Sequence, residues 1–455
     1  MNHQAATGHE LSAFVQWATR LDWVSLPSTV QRRVRMVLLD DLGAILAGSS
    51  VPEVATLRSG YPQTGGDATA LAPDFPRMSS HDAVEINGVA GSWLEVDEGY
   101  RFAMAHGGLY TIPVSLAVAE RQDASVNDVG LAVVVGYELA ARLARHFRFP
   151  TRTVHSHGTF SPVAAAAAAS KLLGHDGAQF FSAITSACSL AIASPFDHAP
   201  GGALARNLWA GAGGRSGLLA AEAAACGVAG LPTAPTSVFA GLLQASPEPG
   251  NLTAGLGERL AIEDGYHKPF ACCQYLHSSI EATLQLRAAH AGRNWPDEVA
   301  AIHVDTHAAA LALPDRQPVT VLGAKFSLPH AVAAAVARGT GGPSGFDTSS
   351  LDDPEMQRLR GLMQCSELAL NDESARPASV SITFSDGEVV TADCSSAKGE
   401  PGRPFGENDI GAKFGALTAN ILSAEGSAAL AGRLLRVSED FPVRDLIGQL
   451  KGGAL

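Results

Sequence analysis

Thr153-Val154-His155-Ser156-His157-Gly158-Thr159-Phe160-Ser161-Pro162 runs directly into an alanine-rich stretch from Val163 to Ser170, closed by Lys171-Leu172-Leu173-Gly174. The first half is a Gly/Ser/Pro turn carrying two histidines. The second half predicts a helix, because alanine has the highest helix propensity and no side-chain entropy to lose. A helix with so little bulk can lie backbone-close to several neighbours, so it is expected at the centre of a helical body, its N-terminus at the base of a cleft. Free N–H groups and the helix dipole attract anions to such an end. A histidine placed there can act as an acid or base. A structural histidine satisfied in a tight turn meets the same pattern.

Working outward, the chain has 455 residues, enough for two or three domains. Hydrophobic residues make up 46% and charged residues 17%, a globular balance, while aromatics are only 6% beside abundant alanine and glycine. The formal net charge of -13 argues against nucleic acid or an anionic membrane surface as the partner. An acidic chain that binds an anion needs a local cationic pocket. The six cysteines show no CxxC, zinc-finger or ferredoxin spacing and read as reduced thiols of a cytoplasmic protein. No signal peptide and no apolar run of about 20 residues is visible.

Before the alanine helix, helical spacing is read over Glu10 to Leu21, from Pro27-Ser28 to Gly48, over His81 to Leu94, Ile112 to Glu120 and Val126 to His146. Asp40-Asp41 lies on the second of these and reads as a capping or buried pair rather than a catalytic one. Glu95 to Arg101 and Ala105-His106-Gly107-Gly108 place three carboxylates, an arginine and a histidine in one loop, a candidate active-site wall. After the alanine helix, further helices are expected over Ala178 to Ile192 and up to Cys226. Ahead of the latter, Arg206 stands among small and apolar residues and, if buried, must be paired or hold an anion. Almost nothing before Leu260 reads as a strand.

The texture changes after Asp264. A polar turn from Tyr266 to His277 feeds a helix over Ser278 to His290, Val299 to His307 alternates like a strand, and Phe326 to Arg338 reads as a helix with His330 in its first turn. Val380 to Phe384 and Val389 to Ala392 flank Ser385-Asp386-Gly387 as a hairpin. Two amphipathic helices, Ala412 to Leu422 and Ala428 to Val437, follow the linker Pro401 to Pro404. The fold expected is mainly α: a large all-helical domain over 1–264, completed by 405–455 packing back, and a smaller α+β lid domain over 265–404, with the ligand cleft between them.

These motifs resemble the MmgE/PrpD family, which includes 2-methylcitrate dehydratase, cis-aconitate decarboxylase and iminodisuccinate epimerase. The resemblance rests on Leu39-Asp40-Asp41-Leu42-Gly43 with Ala47-Gly48, the acidic loop ending in His106-Gly107, and His155 with the alanine helix and Lys171 to Gly174. It continues through Arg206 to Gly211, Lys268-Pro269-Phe270 with Cys273 and His277, and Phe326 to His330. It implies a homodimer that uses no metal or organic cofactor. It assigns His106, His155, Lys268 and His330 to catalysis, and Arg206, Glu95, Asp97 and His277 to substrate binding, with Glu95 or Asp97 as the family's acidic-loop carboxylate. His155 rather than His157 matches the family histidine, Arg206 stands where lysine is common, and His330 replaces a tyrosine. The function this implies is a cofactor-independent lyase of the 2-methylcitrate dehydratase type, acting by acid/base elimination on a small di- or tricarboxylate. Decarboxylation of a cis-aconitate-like acid and epimerisation of an iminodiacid are alternatives on the same site; a non-catalytic helical binding protein is the alternative from another class. In such a site Arg206 would clamp a carboxylate with two parallel hydrogen bonds, and the histidines would move protons on opposite faces. An iron–sulfur route lacks suitably placed cysteines, the HxH of His155 and His157 is weak support for a metal, and Cys272-Cys273 has no base partner.

Overall fold

The computed structural model describes residues 3–150, 152–295, 297–372 and 374–455. Its helical body is built from α1 (His3–Arg20), α2 (Ser28–Ser49), α3 (Ser80–Trp93), α4 (Gly107–Gln122), α5 (Val126–His146), α6 (Ser161–Leu172), α7 (Gly177–Ser189) and α8 (Trp209–Ala225). The alanine helix α6 is the hub: every residue from Ser161 to Ser170 is buried, and it packs on α4, α5, α7 and α8. Two glycines set the spacing. A Cβ at Gly217 of α8 would run into the Pro162 carbonyl, and one at Gly136 of α5 would sit 2.6 Å from the Ala164 carbonyl. Backbones approach here to distances that no larger residue permits.

The body's buried apolar cluster runs from Leu11 to Ile262 and resumes from Phe405 to Leu450. A second cluster runs from Ala271 to Cys394 and takes in Ala44, Val96 and Ala199 of the body. Around it lies a four-stranded sheet of β1 (Val299–Thr306), β2 (Met363–Glu367), β3 (Ala378–Phe384) and β4 (Val389–Cys394), in the order β4-β3-β1-β2. The expected hairpin is β3–β4, paired from Thr383 with Val389 to Ala378 with Cys394. Strand β2, absent from the sequence reading, runs parallel to β1 at the edge. Only Met363 of it is buried, so it has no apolar alternation to read. Helices α9 (His277–Ala289) and α11 (Pro354–Leu362) lie against the sheet, and α10 (Leu328–Arg338) packs on both of them.

Three helices follow: α12 (Glu407–Thr418), packed along α2, then α13 (Ala424–Leu434) and α14 (Val443–Gly452). The first two begin about five residues earlier than their spacing suggests, and α14 was not anticipated. Where lid and body meet, Gly99–Tyr100 pairs antiparallel with Gly265–Tyr266. Polar ties reinforce the seam: His267 Nδ1 lies 2.6 Å from Asp40 Oδ2, and Lys325 Nζ donates to the Trp93 carbonyl at 2.7 Å. Lys413 of α12 bonds Asp40 Oδ1 at 2.5 Å and the Val96 carbonyl at 2.6 Å. Asp40 is therefore a buried structural anion, the reading its sequence context favoured.

Candidate active site

At that seam lies a cavity of about 350 Å³ whose walls include Glu95, His106, His155, Arg206 and Lys268. Residues more than 170 positions apart in the chain meet there because the acidic loop ends α3, Arg206 sits on the short turn Leu204–Leu208 before α8, and Lys268 leaves the strand pair at Tyr266.

Glu95 is the pivot. Its backbone occupies the left-handed region (φ 56°), which costs a non-glycine residue about 1 kcal/mol or more. That conformation puts its carboxylate between two buried cations: it forms an ion pair with Arg206, and Lys268 Nζ lies 3.2 Å from Oε2. Burial alone would raise its pKa, but Arg206 and then Lys268 bring it down to about 2. Asp97, fully buried behind the cavity wall, takes Lys268 Nζ at 3.3 Å on one oxygen and His106 Nδ1 at 2.6 Å on the other. Burial pushes its pKa up, yet Lys268 and His106 hold it well below the usual carboxylate range. Lys268, although desolvated, is kept charged by Asp97 and Glu95.

His106 and His155, both in the cavity wall, are held differently. His106 Nδ1 points at both Asp97 and the Glu98 carbonyl (2.7 Å), which fixes the proton on Nδ1 and leaves Nε2 as the free ring nitrogen. His155 accepts a hydrogen bond from Arg206 Nε on Nε2 at 3.2 Å. Burial, and then the Arg206 charge, push its pKa well below the ordinary value, so it is neutral.

This geometry alters three expectations. Arg206 uses Nε on His155 and Nη1 on Glu95 and Asn207 Oδ1, so it does not present two parallel free bonds to a ligand. The cavity floor near α6 is formed by His155 and Ser156, which open the single helical turn Ser156–Thr159, and not by the N-terminus of α6 itself. His330 and His277 do not line the cavity. His330 Nε2 faces the Gly345 carbonyl (3.1 Å) and Ser350 (3.2 Å), while Nδ1 faces Arg360 (3.0 Å), and burial lowers its pKa to about 4. Phe326, two residues before α10, is what that turn sends to the site. His277 has Nε2 on the Cys272 carbonyl at 3.3 Å and its ring against Phe270.

Sequence reasoning missed His307 and Arg376, which stand in the wall. Arg376, its guanidinium 4.7 Å from the Tyr275 ring centre, lies in an irregular segment with no motif to mark it. With Arg101, Arg206 and Lys268 it makes the lining rich in cations, the local counterweight to the acidic chain. Cys273 also lines the cavity, its thiol pushed up by burial, and all six cysteines are unpaired.

His157 is fully buried between the rings of His106 and His155, at centroid distances of 4.7 and 4.5 Å. Its Nδ1 meets Tyr110 Oη at 3.0 Å and its Nε2 has no hydrogen-bond partner. Asp97, His106 and His157 offer ligand atoms within 4.8 Å of one another. The 2.6 Å Asp97–His106 distance is that of a hydrogen bond, however, and shorter than the separation of about 3.3 Å between ligands on a tetrahedral zinc. Asp97 is further occupied by Lys268. Asp97 and His106 are therefore a hydrogen-bonded pair, and His157 touches His106 through its ring alone.

Sequence models of the MmgE/PrpD N-terminal domain and of the MmgE/PrpD C-terminal domain match residues 12–252 and 270–434. The chain belongs to the MmgE/PrpD family. Among curated members of that family, it is 25% identical to the cis-aconitate decarboxylase-like protein oryM of Aspergillus oryzae, with 98% of each chain covered. It is 23% identical to a cis-aconitate decarboxylase of Aspergillus terreus, over 84% of this chain and 83% of that one. The family includes lyases, and the cavity at the seam is where both matched domains contribute: Glu95, His106, His155 and Arg206 from the first, Tyr275 and Arg376 from the second.

Proposed function

We propose that this protein is a lyase acting on a small di- or tricarboxylic acid, through a carbanion-like species at a carbon next to a carboxylate. The observation that carries this reading is the convergence of His106, His155, Arg206 and Lys268 on one cavity. Cationic groups fixed in a buried site stabilise charge that builds up in the transition state without reorganising. The bland alternative, a helical scaffold, gives no reason to bury Arg206, Lys268, Glu95 and Asp97 together, since buried charge is costly unless paired.

Carbon–carbon cleavage fits this arrangement best. In decarboxylation one carboxylate leaves as carbon dioxide, its bonding pair stays on the adjacent carbon, and a single proton must be delivered there. One imidazole suffices: His106 in its doubly protonated form keeps Nδ1–H on Asp97, delivers the proton from Nε2 and takes another from water afterwards. Dehydration needs a base and a separate acid, and His155 has its Nε2 occupied by Arg206. The curated relatives named as cis-aconitate decarboxylases support the same choice. Dehydration of a 2-methylcitrate-like acid is the second reading, favoured by His155 lining the same cavity: a substrate carboxylate that drew Arg206 away would free it.

Purified protein is incubated with cis-aconitate, citrate, 2-methylcitrate and iminodisuccinate, with products followed by proton NMR in deuterated buffer. Carbon dioxide release with one deuteron incorporated is expected. Loss of water without carbon dioxide establishes the second reading, deuterium uptake without net cleavage identifies an epimerase, and absence of both binding and turnover with every acid overturns the proposal.

A further inference from the structure

The charges around the cavity fall into two groups. In the first, Arg206 and Lys268 face Glu95 and Asp97, two cations against two carboxylates. That cluster is neutral as a whole and offers no surplus charge to an incoming anion. The second group joins body and lid through Glu400, a carboxylate only 5% exposed that lies behind the wall. Arg101 of the body, in the wall, sets Nε 2.7 Å from Glu400 Oε2 and donates from Nη2 to the Ser374 carbonyl. Arg376 of the lid, also in the wall, has Nη1 4.0 Å from Glu400 Oε1, beyond hydrogen-bond reach, and that oxygen has no hydrogen-bond partner. Among the described residues the Arg376 guanidinium makes no hydrogen bond at all. It rests over the Tyr275 ring, which fixes its position without using its N–H groups.

Two guanidinium groups and one carboxylate leave one positive charge over. Glu95 is the only carboxylate residue lining the cavity, and it is already paired with Arg206 and Lys268. Asp372, which Arg101 also influences, stands exposed in solvent. The surplus is felt by its neighbours. Burial and then the like charge of Arg376 lower the Arg101 pKa, and the same two causes bring His307 down to about 4, leaving it neutral. A mostly buried guanidinium with unmet N–H groups and no close counter-ion calls for an anion. We propose that Arg376, with Arg101 beside it, binds the substrate carboxylate that takes no part in the reaction, leaving the Glu95, Arg206 and Lys268 cluster to the reacting end. The inference rests on the lyase reading above and assigns the residues that require a second carboxylate. Since Arg101 belongs to the body and Arg376 to the lid, an acid held there also ties the two together.

The test uses propane-1,2,3-tricarboxylate, which has no hydroxyl to eliminate, with glutarate and 2-methylsuccinate, each of which lacks one of its carboxylates. All three are titrated by calorimetry into the parent protein and Arg376→Met. The variant is expected to bind the tricarboxylate about 10–100-fold more weakly. It is expected to bind one of the two dicarboxylates, the one without the group that meets Arg376, within about threefold of the parent. With the acid that the parent turns over, the loss is expected to fall on KM more than on kcat. Arg376→Lys, which keeps the charge without the planar fork, is expected to recover part of the affinity, and it serves alone if the methionine variant fails to fold: a smaller loss, about 3–10-fold, on the tricarboxylate. Undiminished binding of the tricarboxylate, an equal loss on all three acids, or a fall in kcat at constant KM overturns this inference and leaves the lyase reading intact. Failure of the parent to bind or turn over any polycarboxylic acid overturns the lyase reading and this one with it.

Discussion

His106 offers the cavity one ring nitrogen because Asp97 and the Glu98 carbonyl hold the other. His106→Gln removes the imidazole while keeping a side chain that can donate to Asp97. It is expected to lower kcat by about 10²–10⁴-fold with a smaller change in KM, read by steady-state kinetics. Glu98, next in the loop, is buried with Oε1 taking the Gly108 N–H at 2.7 Å and Oε2 taking the Tyr137 hydroxyl at 2.9 Å. Burial lifts its pKa from 4.5 to about 8. A carboxyl raised in the folded state stabilises below its unfolded pKa, and that contribution is lost as pH rises. The loss therefore falls between about 4.5 and about 8. Glu98→Gln mimics the protonated form and is expected to gain Tm relative to the parent as pH is raised from 5 to 8.5, read by thermal denaturation. An unchanged difference across that range would contradict the shift. At this scale the sequence announced which residue types gather, because His106, His155, Arg206 and Lys268 each stand out in their local context. It could not announce that Arg206 is spent on Glu95 and His155. Nor could it show that His330 turns into the lid, since the direction of a side chain leaving a helix's first turn is set by tertiary packing.

Among the elements, the alanine helix was the most legible, since composition alone forces its burial. Its fit depends on glycines in its neighbours, which single-sequence periodicity does not single out. Gly217→Val would drive two methyl groups and a Cβ toward the Pro162 carbonyl. Such overpacking is expected to cost about 1–3 kcal/mol or more, read from urea denaturation; Gly227→Ala, at a position with open space around it but positive φ, is expected to cost about 1 kcal/mol. Helix α4 begins at Gly107, five residues before the expected start, because the Gly107-Gly108 pair and Pro113 suppress the propensity signal while Glu98 accepts the Gly108 N–H. The edge strand β2 escaped notice for the opposite reason: its pairing with β1 is backbone hydrogen bonding that a polar sequence does not advertise.

For the whole molecule, a chain of net charge -13 carries a cation-lined cavity at the seam between its two apolar cores. Among the described residues no helix is long and apolar enough to cross a membrane. The homodimer implied by the resemblance remains our proposal, to be tested by analytical ultracentrifugation of the purified chain. Because both Asp97 oxygens are taken, one by His106 and one by Lys268, exhaustive dialysis against a chelator is expected to leave turnover within about twofold of the untreated protein. A loss restored by one added divalent ion would make the triad a metal site instead.

Lys413 grips the peptide between Glu95 and Asp97 from a helix far downstream. During synthesis, every cavity-lining residue leaves the ribosome before that lysine does. A nascent chain halted ahead of position 413 would thus have the whole roster of the site and lack the clasp on its acidic loop, so ligand-binding competence should arrive late in translation, after the body has already collapsed.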